Sequence, residues 1–303
     1  VGVTSPDFYK LNSLMANLKE VKQRINSVIS TQQITKAMKM VSAAKLRRAQ
    51  DRIIQMRPFS QKLTTILNNV SAASEGSADL VYAEKREVKR VLLVAITSDK
   101  GLCGAFNTNV IKATNLTVRE QFAGADITVM PIGKKALEYY KKSPYKVIDQ
   151  YATLFQDLSF ENVREAANYA MEAYVDGEFD QVVLVFNEFK NVATQIIRAE
   201  QFLPMAPTQN EDAVSETDYI LEPSREFIIE ELVPKALRTQ FFKAVLESNA
   251  SEHGARMTAM DKATENAGEL LKELKLMYNR TRQAAITNEI LEIVAGAEAL
   301  GGK

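Results

Sequence analysis

From Lys235 to the end of the chain there is no proline, and apolar residues recur at the spacing of a coiled-coil seam. Met260, Thr264, Ala267, Leu271, Leu274, Tyr278, Thr281 and Ala285 alternate four and three residues apart, which places them along one edge of a helix. An unbroken helix over 235–300 would be roughly 100 Å long, at about 1.5 Å per residue. No compact core spans that distance, so the helix must project from any domain it belongs to. A projecting helix with an apolar seam needs a partner to cover that seam.

The partner is expected at the other end of the same chain. Leu18, Val21, Ile25 and Val28 repeat the four-three spacing, followed by polar Gln32 and Thr35, then Met38 and Val41. The apolar series then skips a residue and restarts at Leu46, Ala49, Ile53 and Met56. Such a skip predicts a stutter, a local change in supercoil twist. Pro58 is the first breaker in this run, and a kink or boundary is expected there because proline has no N–H to donate. Val1 to Leu14 show neither a basic segment leading into an apolar core nor an Arg-rich amphipathic pattern, so they read as an extension, expected to be disordered, rather than as a targeting signal. Met15 reads as a natural start.

Between these arms the grammar changes. Arg90–Thr97, Asp126–Met130 and Gln181–Phe186 are short apolar runs rich in β-branched residues, the pattern of strands buried on both faces. Helical stretches over 107–122, 134–141 and 161–175 separate them, and alternation of this kind predicts a mostly parallel sheet flanked by helices. Residues 191–202 read as an antiparallel edge strand. The expected organisation is therefore α/β: an extension over 1–14, a coiled-coil helix over 15–75, a Rossmann-like α/β domain over 76–203, a linker over 204–224 that holds Pro204, Pro207 and Pro223, and a second coiled-coil helix over 225–303. An antiparallel two-helix coil with the α/β domain at one end joins these parts most simply.

Composition narrows the chemistry. The chain has one histidine, His253, and one cysteine, Cys103, which together cannot build a His/Cys zinc site or an internal disulfide. Charges balance, with 38 basic and 38 acidic residues, but not locally. Ten basic residues between Lys19 and Arg57 face only Glu20 and Asp51, a net charge of +8. No aromatic residue in that segment is available to stack on bases, so an acidic protein partner explains the charge better than nucleic acid does. No run approaches the length of about 18 apolar residues that a membrane-spanning helix requires.

Three local motifs invite a chemical reading. Thr97 to Gly104 follows the first strand and precedes a helix, where open α/β sheets take ligands. It matches neither G-x-G-x-x-G nor G-x-x-x-x-G-K-[ST], so it reads as a structural turn. Cys103 reads as a small packed or partly exposed thiol and His253 as a surface or packing residue, since neither has a catalytic companion nearby in the sequence. The run Ile286 to Ala297 is too apolar for a free helix end and too short to cross a bilayer. Glu289 and Glu292 disfavour an anionic lipid surface, which leaves an apolar socket in a partner.

Five blocks also carry a family resemblance. Ile286-Thr287-x-Glu289-x-x-Glu292-x-x-x-Gly296-Ala297-x-Ala299, the preceding Tyr278 to Ala284, Ile34 to Val41, Ser98 to Gly104, and Ala250 to Met260 resemble the corresponding blocks of the gamma subunits of F-type ATP synthases. The resemblance implies a non-catalytic rotor shaft within three alpha and three beta subunits, resting with epsilon on a membrane c-ring whose proton-driven rotation it conveys to the beta sites. It implies no cofactor or metal. It implies ring contacts for Met38 and Lys39 near the beta loops, and for Arg282, Gln283, Thr287 and Glu289 at the upper constriction. The family's chloroplast type carries a cysteine pair that this sequence lacks, so thiol switching is not expected. The expected location is the cytoplasmic face of a bacterial plasma membrane, with the matrix face of a mitochondrial inner membrane as the alternative. Two other readings compete: an α/β ligand-binding enzyme with a helical oligomerisation arm, and a nucleic-acid-binding coiled coil.

Overall fold

The computed structural model describes residues 6–72, 81–84, 86–205 and 225–301. Helix α1 runs Pro6–Ala72. It includes residues 6–14, which the sequence alone sets apart as an extension; proline at a first helical position has the φ a helix needs and loses no bond there. Residues 1–5 and 206–224, the latter most of the expected linker, lie outside the described residues. Strand β1 (Arg90–Ile96) leads to α2 (Phe106–Gln121), β2 (Asp126–Ile132), α3 (Lys134–Tyr140) and the short β3 (Lys146–Val147). After a 3-10 turn come α4 (Phe160–Val175), β4 (Gln181–Phe189), β5 (Gln195–Leu203) and α5 (Arg225–Gly301). The two-residue β3 is too short to leave a periodic signal in the sequence.

The chain divides into two compact units, one of residues 41–259 and one of residues 1–40 with 260–303. In the first, the five strands form one sheet in the order β3-β2-β1-β4-β5. All pairs are parallel except β4 with β5, which is antiparallel as expected of an edge strand. Side chains of a strand alternate between faces, and β1 shows the consequence. Leu92, Val94 and Ile96 pack with α4 and α5 on one face, while Val91, Leu93 and Ala95 pack with α2 and α3 on the other. Both faces being covered explains why β1 reads as a continuous apolar run.

Asp180 ties the start of β4 to the start of β1. Its carboxylate accepts from the backbone N–H of Lys89 at 3.0 Å and of Arg90 at 2.8 Å, and from the Arg90 guanidinium at 3.2 Å. Burial pushes this carboxyl up, but the backbone donors and Arg90 outweigh it and hold Asp180 below the usual carboxylate range.

Both long helices also enter this unit. Leu46, Ala49 and Ile53 of α1 pack with Leu246 and Ala250 of α5 and with Phe189 of β4. Helix α1 runs through Pro58 and α5 through Pro234, so no boundary falls at either. The lost hydrogen bond is offset by burial on both sides: Ile53 and Leu63 flank Pro58, and Val233 and Leu237 flank Pro234, all buried.

In the second unit α1 and α5 pair antiparallel, since facing residues move in opposite directions along the chain: Lys39 with Asp261, Thr35 with Thr264, Gln32 with Gly268. Burial along α1 corrects the expected stutter. Val21, Ile25, Val28, Gln32, Thr35 and Lys39 of this unit are buried or half-buried, and Ser42, Leu46, Ala49 and Ile53 of the first unit are buried, each set at four-three spacing. Val41 is 56% exposed, whereas Ser42 is 3% exposed. A helix turns about 100° per residue whatever its side chains are, so the seam passes through a serine and leaves the neighbouring valine outside.

Phe241 is fully buried and meets Phe202 edge-on at 5.6 Å between ring centroids. Phe241→Ala is expected to lower stability by about 3–5 kcal/mol, read as a lower urea midpoint with an unchanged slope.

Candidate partner-contact surfaces

In an open α/β sheet the ligand site lies beyond the carboxyl ends of the strands, where the strand order reverses. Here that place is between β1 and β4, and α5 occupies it. The Ser248 hydroxyl donates to the carbonyl of Ile96 at 3.3 Å, and the Ser251 hydroxyl to that of Asn187 at 3.0 Å. The buried Glu247 accepts from the N–H of Phe189 at 3.0 Å and from the Arg57 guanidinium at 3.4 Å. Gly254 passes so close that a Cβ there would lie 3.4 Å from the Phe189 ring and 3.6 Å from the Val192 carbonyl. Helix backbone and small side chains fill the crevice.

The turn over 97–104 is closed in the same way. The Arg256 guanidinium donates to the carbonyls of Lys100 at 2.8 Å and Gly101 at 3.3 Å, and pairs with Glu252 one helical turn away. Asn107 holds the turn from inside: its Oδ1 accepts from the Ser98 N–H and hydroxyl, and its amide donates to the Cys103 sulfur at 3.2 Å. Cys103 is buried, the packed of the two environments left open for it. Leu102 (φ 63°) and Gly104 (φ 60°) adopt left-handed backbone. The turn carbonyls thus point at α5, and the structure supports reading this motif as structural.

Burial raises the Glu252 carboxyl, with Arg256 opposing. His253 is the packing residue of the two readings the sequence left open, 9% exposed with Nδ1 unpaired. Burial, then Arg256 and Lys45, lower its pKa to about 4. It is neutral at pH 7, and protonating it would place a third cation beside two others. The sequence singles out none of Ser248, Asn187, Glu247 or Arg256 for this role, because only packing decides which strand ends a helix covers.

The exposed basic and apolar side chains singled out in the sequence lie on the two long helices. Of the ten basic residues between Lys19 and Arg57, three are engaged within the chain. Lys39 pairs with Asp261 at 2.5 Å, Arg57 with Glu247, and Arg52 donates to the Leu158 carbonyl at 3.4 Å. The other seven are exposed. Met38 is half-buried, and the Lys39 side chain remains 40% exposed. Arg282, Gln283, Thr287 and Glu289 are all exposed on α5, and the Thr287 hydroxyl donates to the Gln283 carbonyl at 2.9 Å, which keeps its lone pairs outward. Ile286, Ile290, Ile293 and Val294 sit on the same side of α5 as Gln283 and Thr287, at four- and three-residue spacing, and are 48–71% exposed. An exposed apolar stripe beside polar groups at one helix end has the character of an interaction surface. Among the described residues no helix is long and apolar enough to cross a membrane, and no cluster of three or more His, Cys, Asp or Glu could hold a metal.

A family model described as ATP synthase matches residues 17–300. The ATP synthase gamma chain of Cytophaga hutchinsonii is 59% identical over 293 residues, covering 94% of this chain and 99% of its own. That of Flavobacterium johnsoniae is 56% identical, covering 95% and 100%. Among solved structures, a central stalk and c-ring assembly of the Tetrahymena thermophila mitochondrial ATP synthase contains a similar chain. It has 28% identity and a TM-score of 0.53, over 76% of this chain and 99% of that one. A chain of the Euglena gracilis enzyme, at 22% identity, shares the fold with a TM-score of 0.64 over 94% and 95%.

The pKa of His253 sets a test of this packing. Because the folded value lies below the unfolded one, the contribution to stability is present above about pH 6.5 and is lost as pH falls toward 4. Between those limits the full chain is expected to lose about 3 kcal/mol more stability than His253→Gln does, measured by urea unfolding of both proteins across the range.

Proposed function

Because this chain belongs to the ATP synthase gamma-chain family, we propose that the exposed end of α5 and the basic face of α1 are the surfaces through which it works as the enzyme's shaft. The family role is that of the central rotor, which couples rotation of the membrane ring to conformational cycling of the catalytic sites. The bond chemistry belongs to the complex and not to this chain. The observation that carries this reading is the match to gamma chains along nearly the whole length of each. The partners proposed are three alpha and three beta subunits, epsilon and the c-ring. The site is the cytoplasmic face of a bacterial plasma membrane, reached only through those partners.

The physics of the surfaces fits a part that must turn. Exposed ion pairs contribute only about 0–1 kcal/mol each. The exposed lysines and arginines of α1 can therefore guide the shaft past acidic loops without locking it. Ile286, Ile290, Ile293 and Val294 bring non-directional burial to an apolar sleeve, with no hydrogen bond to break on rotation. Arg282, Gln283, Thr287 and Glu289 supply the directional contacts that catch the ring once per step. Met38 and Lys39 serve the same purpose lower on the coil, where a partner carboxylate would compete with Asp261 for the Lys39 ammonium.

Two measurements test this. The chain is expected to co-purify in a stable particle with three alpha and three beta chains per copy; purification as a separate protein would overturn the shaft reading. Arg282→Ala combined with Gln283→Ala is expected to leave the chain's stability within about 0.5 kcal/mol, both residues being exposed, while lowering coupled synthesis and hydrolysis several-fold. Wild-type rates of both in the assembled variant would remove these residues from the catch.

A further inference from the structure

Within the coiled-coil unit the seam carries polar residues where burial alone would favour leucine. Gln32, Thr35 and Thr264 occupy seam positions and meet across the two helices. The hydroxyls of Thr264 and Thr35 lie 2.8 Å apart, and the Gln32 amide donates to the Thr264 carbonyl at 3.4 Å. Each hydroxyl also reaches a carbonyl of its own helix, Thr35 that of Gln32 at 3.0 Å and Thr264 that of Met260 at 2.7 Å. The bridge closes when one hydroxyl turns its proton to the other threonine while that one keeps its own carbonyl. Gly268 completes the layer. A Cβ there would lie 3.1 Å from the Gln32 amide nitrogen, so the glutamine occupies the notch that glycine leaves. Glycine costs a helix interior about 1 kcal/mol relative to alanine, and polar seam residues lower coil stability while specifying how two helices align. A layer that gives up stability at these positions is explained by what it holds in place.

Twisting a two-stranded coil slides one helix along the other. Apolar layers resist this weakly, because burial is non-directional and changes only as area is lost. Hydrogen bonds weaken steeply with misalignment, and an axial slip of one residue is about 1.5 Å, enough to part the threonine hydroxyls and drive the Gln32 amide against the edge of its notch. We propose that Gln32, Thr35, Thr264 and Gly268 form a shear pin that stops α1 and α5 sliding past each other when the shaft is under torque. The pin rests on the shaft reading and adds a positioning role to residues that contact no partner in that reading.

The test uses assembled ATP synthase in sealed vesicles, comparing wild type with Gln32→Leu, Thr35→Val, Thr264→Val. Replacing all partners by apolar groups of similar shape leaves no buried polar group unpaired, so the variant is expected to be at least as heat-stable as wild type. Its ATP hydrolysis without a proton gradient is expected to be unchanged, while its ATP-driven proton pumping falls several-fold more steeply as the opposing gradient grows. Pumping with the wild-type load dependence would overturn the pin, as would hydrolysis and pumping falling together with heat stability. A second variant, Gln32→Leu with Thr35→Cys and Thr264→Cys, removes the Gln32 contact and replaces the hydroxyl pair by a cross-link of similar reach. Its oxidised form is expected to pump like wild type and its reduced form like the apolar variant; identical behaviour of the two forms also overturns the proposal. If wild-type particles themselves fail to pump, the shaft reading fails instead, which keeps the two failures apart.

Discussion

The hydrogen bonds that α5 makes at the carboxyl ends of β1 and β4 are the constraint on which the α/β unit depends. Backbone carbonyls at strand ends have no partner within the sheet, and an unpaired buried polar group costs about 1–3 kcal/mol. Ser248 and Ser251 satisfy two such carbonyls, Arg256 satisfies two more on the following turn, and Glu247 takes an orphan N–H. Each comes from a single helix, so that helix cannot be removed or shifted without exposing all of them at once. Folds that use this crevice for ligands leave it open; here the same geometry fastens a long helix to the sheet. An α/β ligand-binding enzyme would need the place that α5 fills.

A second consequence is electrostatic. Fastening a helix into a crevice buries charge, and the buried groups answer in opposite directions. Glu252 is raised by burial although Arg256 pairs with it, while His253 is lowered by burial and by two neighbouring cations. Asp180, at the far end of the same strands, is lowered because two backbone donors and an arginine face it. Stability at the strand ends therefore comes from satisfied polar groups, and stability between them from the apolar faces of β1 and β4. The two contributions fail under different conditions, acid for the first and cavity formation for the second.

The α1–α5 pair follows a different rule. It has no wide core, so each seam position counts, and the residues found there are a mixture of apolar, small and hydroxyl-bearing side chains. Ordinary leucine layers would make a more stable coil. What the polar layer adds is direction: bonds that exist at one alignment and vanish a residue away. The exposed stripe from Ile286 to Val294 is of the reverse kind, since apolar contacts carry no direction.

Much of this is legible in the sequence, because periodicity is a local property of the backbone. Proline-free heptads predict two long antiparallel helices, β-branched runs predict three parallel strands that begin where the observed ones do, and the edge strand is expected where β5 lies. The sequence nominates the polar and apolar residues near the end of α5 as a contact surface, and they stand on the surface. The failures share one cause. Val41 looks like a better seam residue than Ser42, Pro58 looks like a kink or boundary, and His253 reads equally as a surface or a packing residue. Each depends on what lies against the helix from elsewhere in the chain. Which carbonyls Ser248, Ser251 and Arg256 meet, and that Thr35 faces Thr264, involve residues more than sixty positions apart. Local repetition decides what elements form; only packing between distant segments decides which of their polar groups find partners.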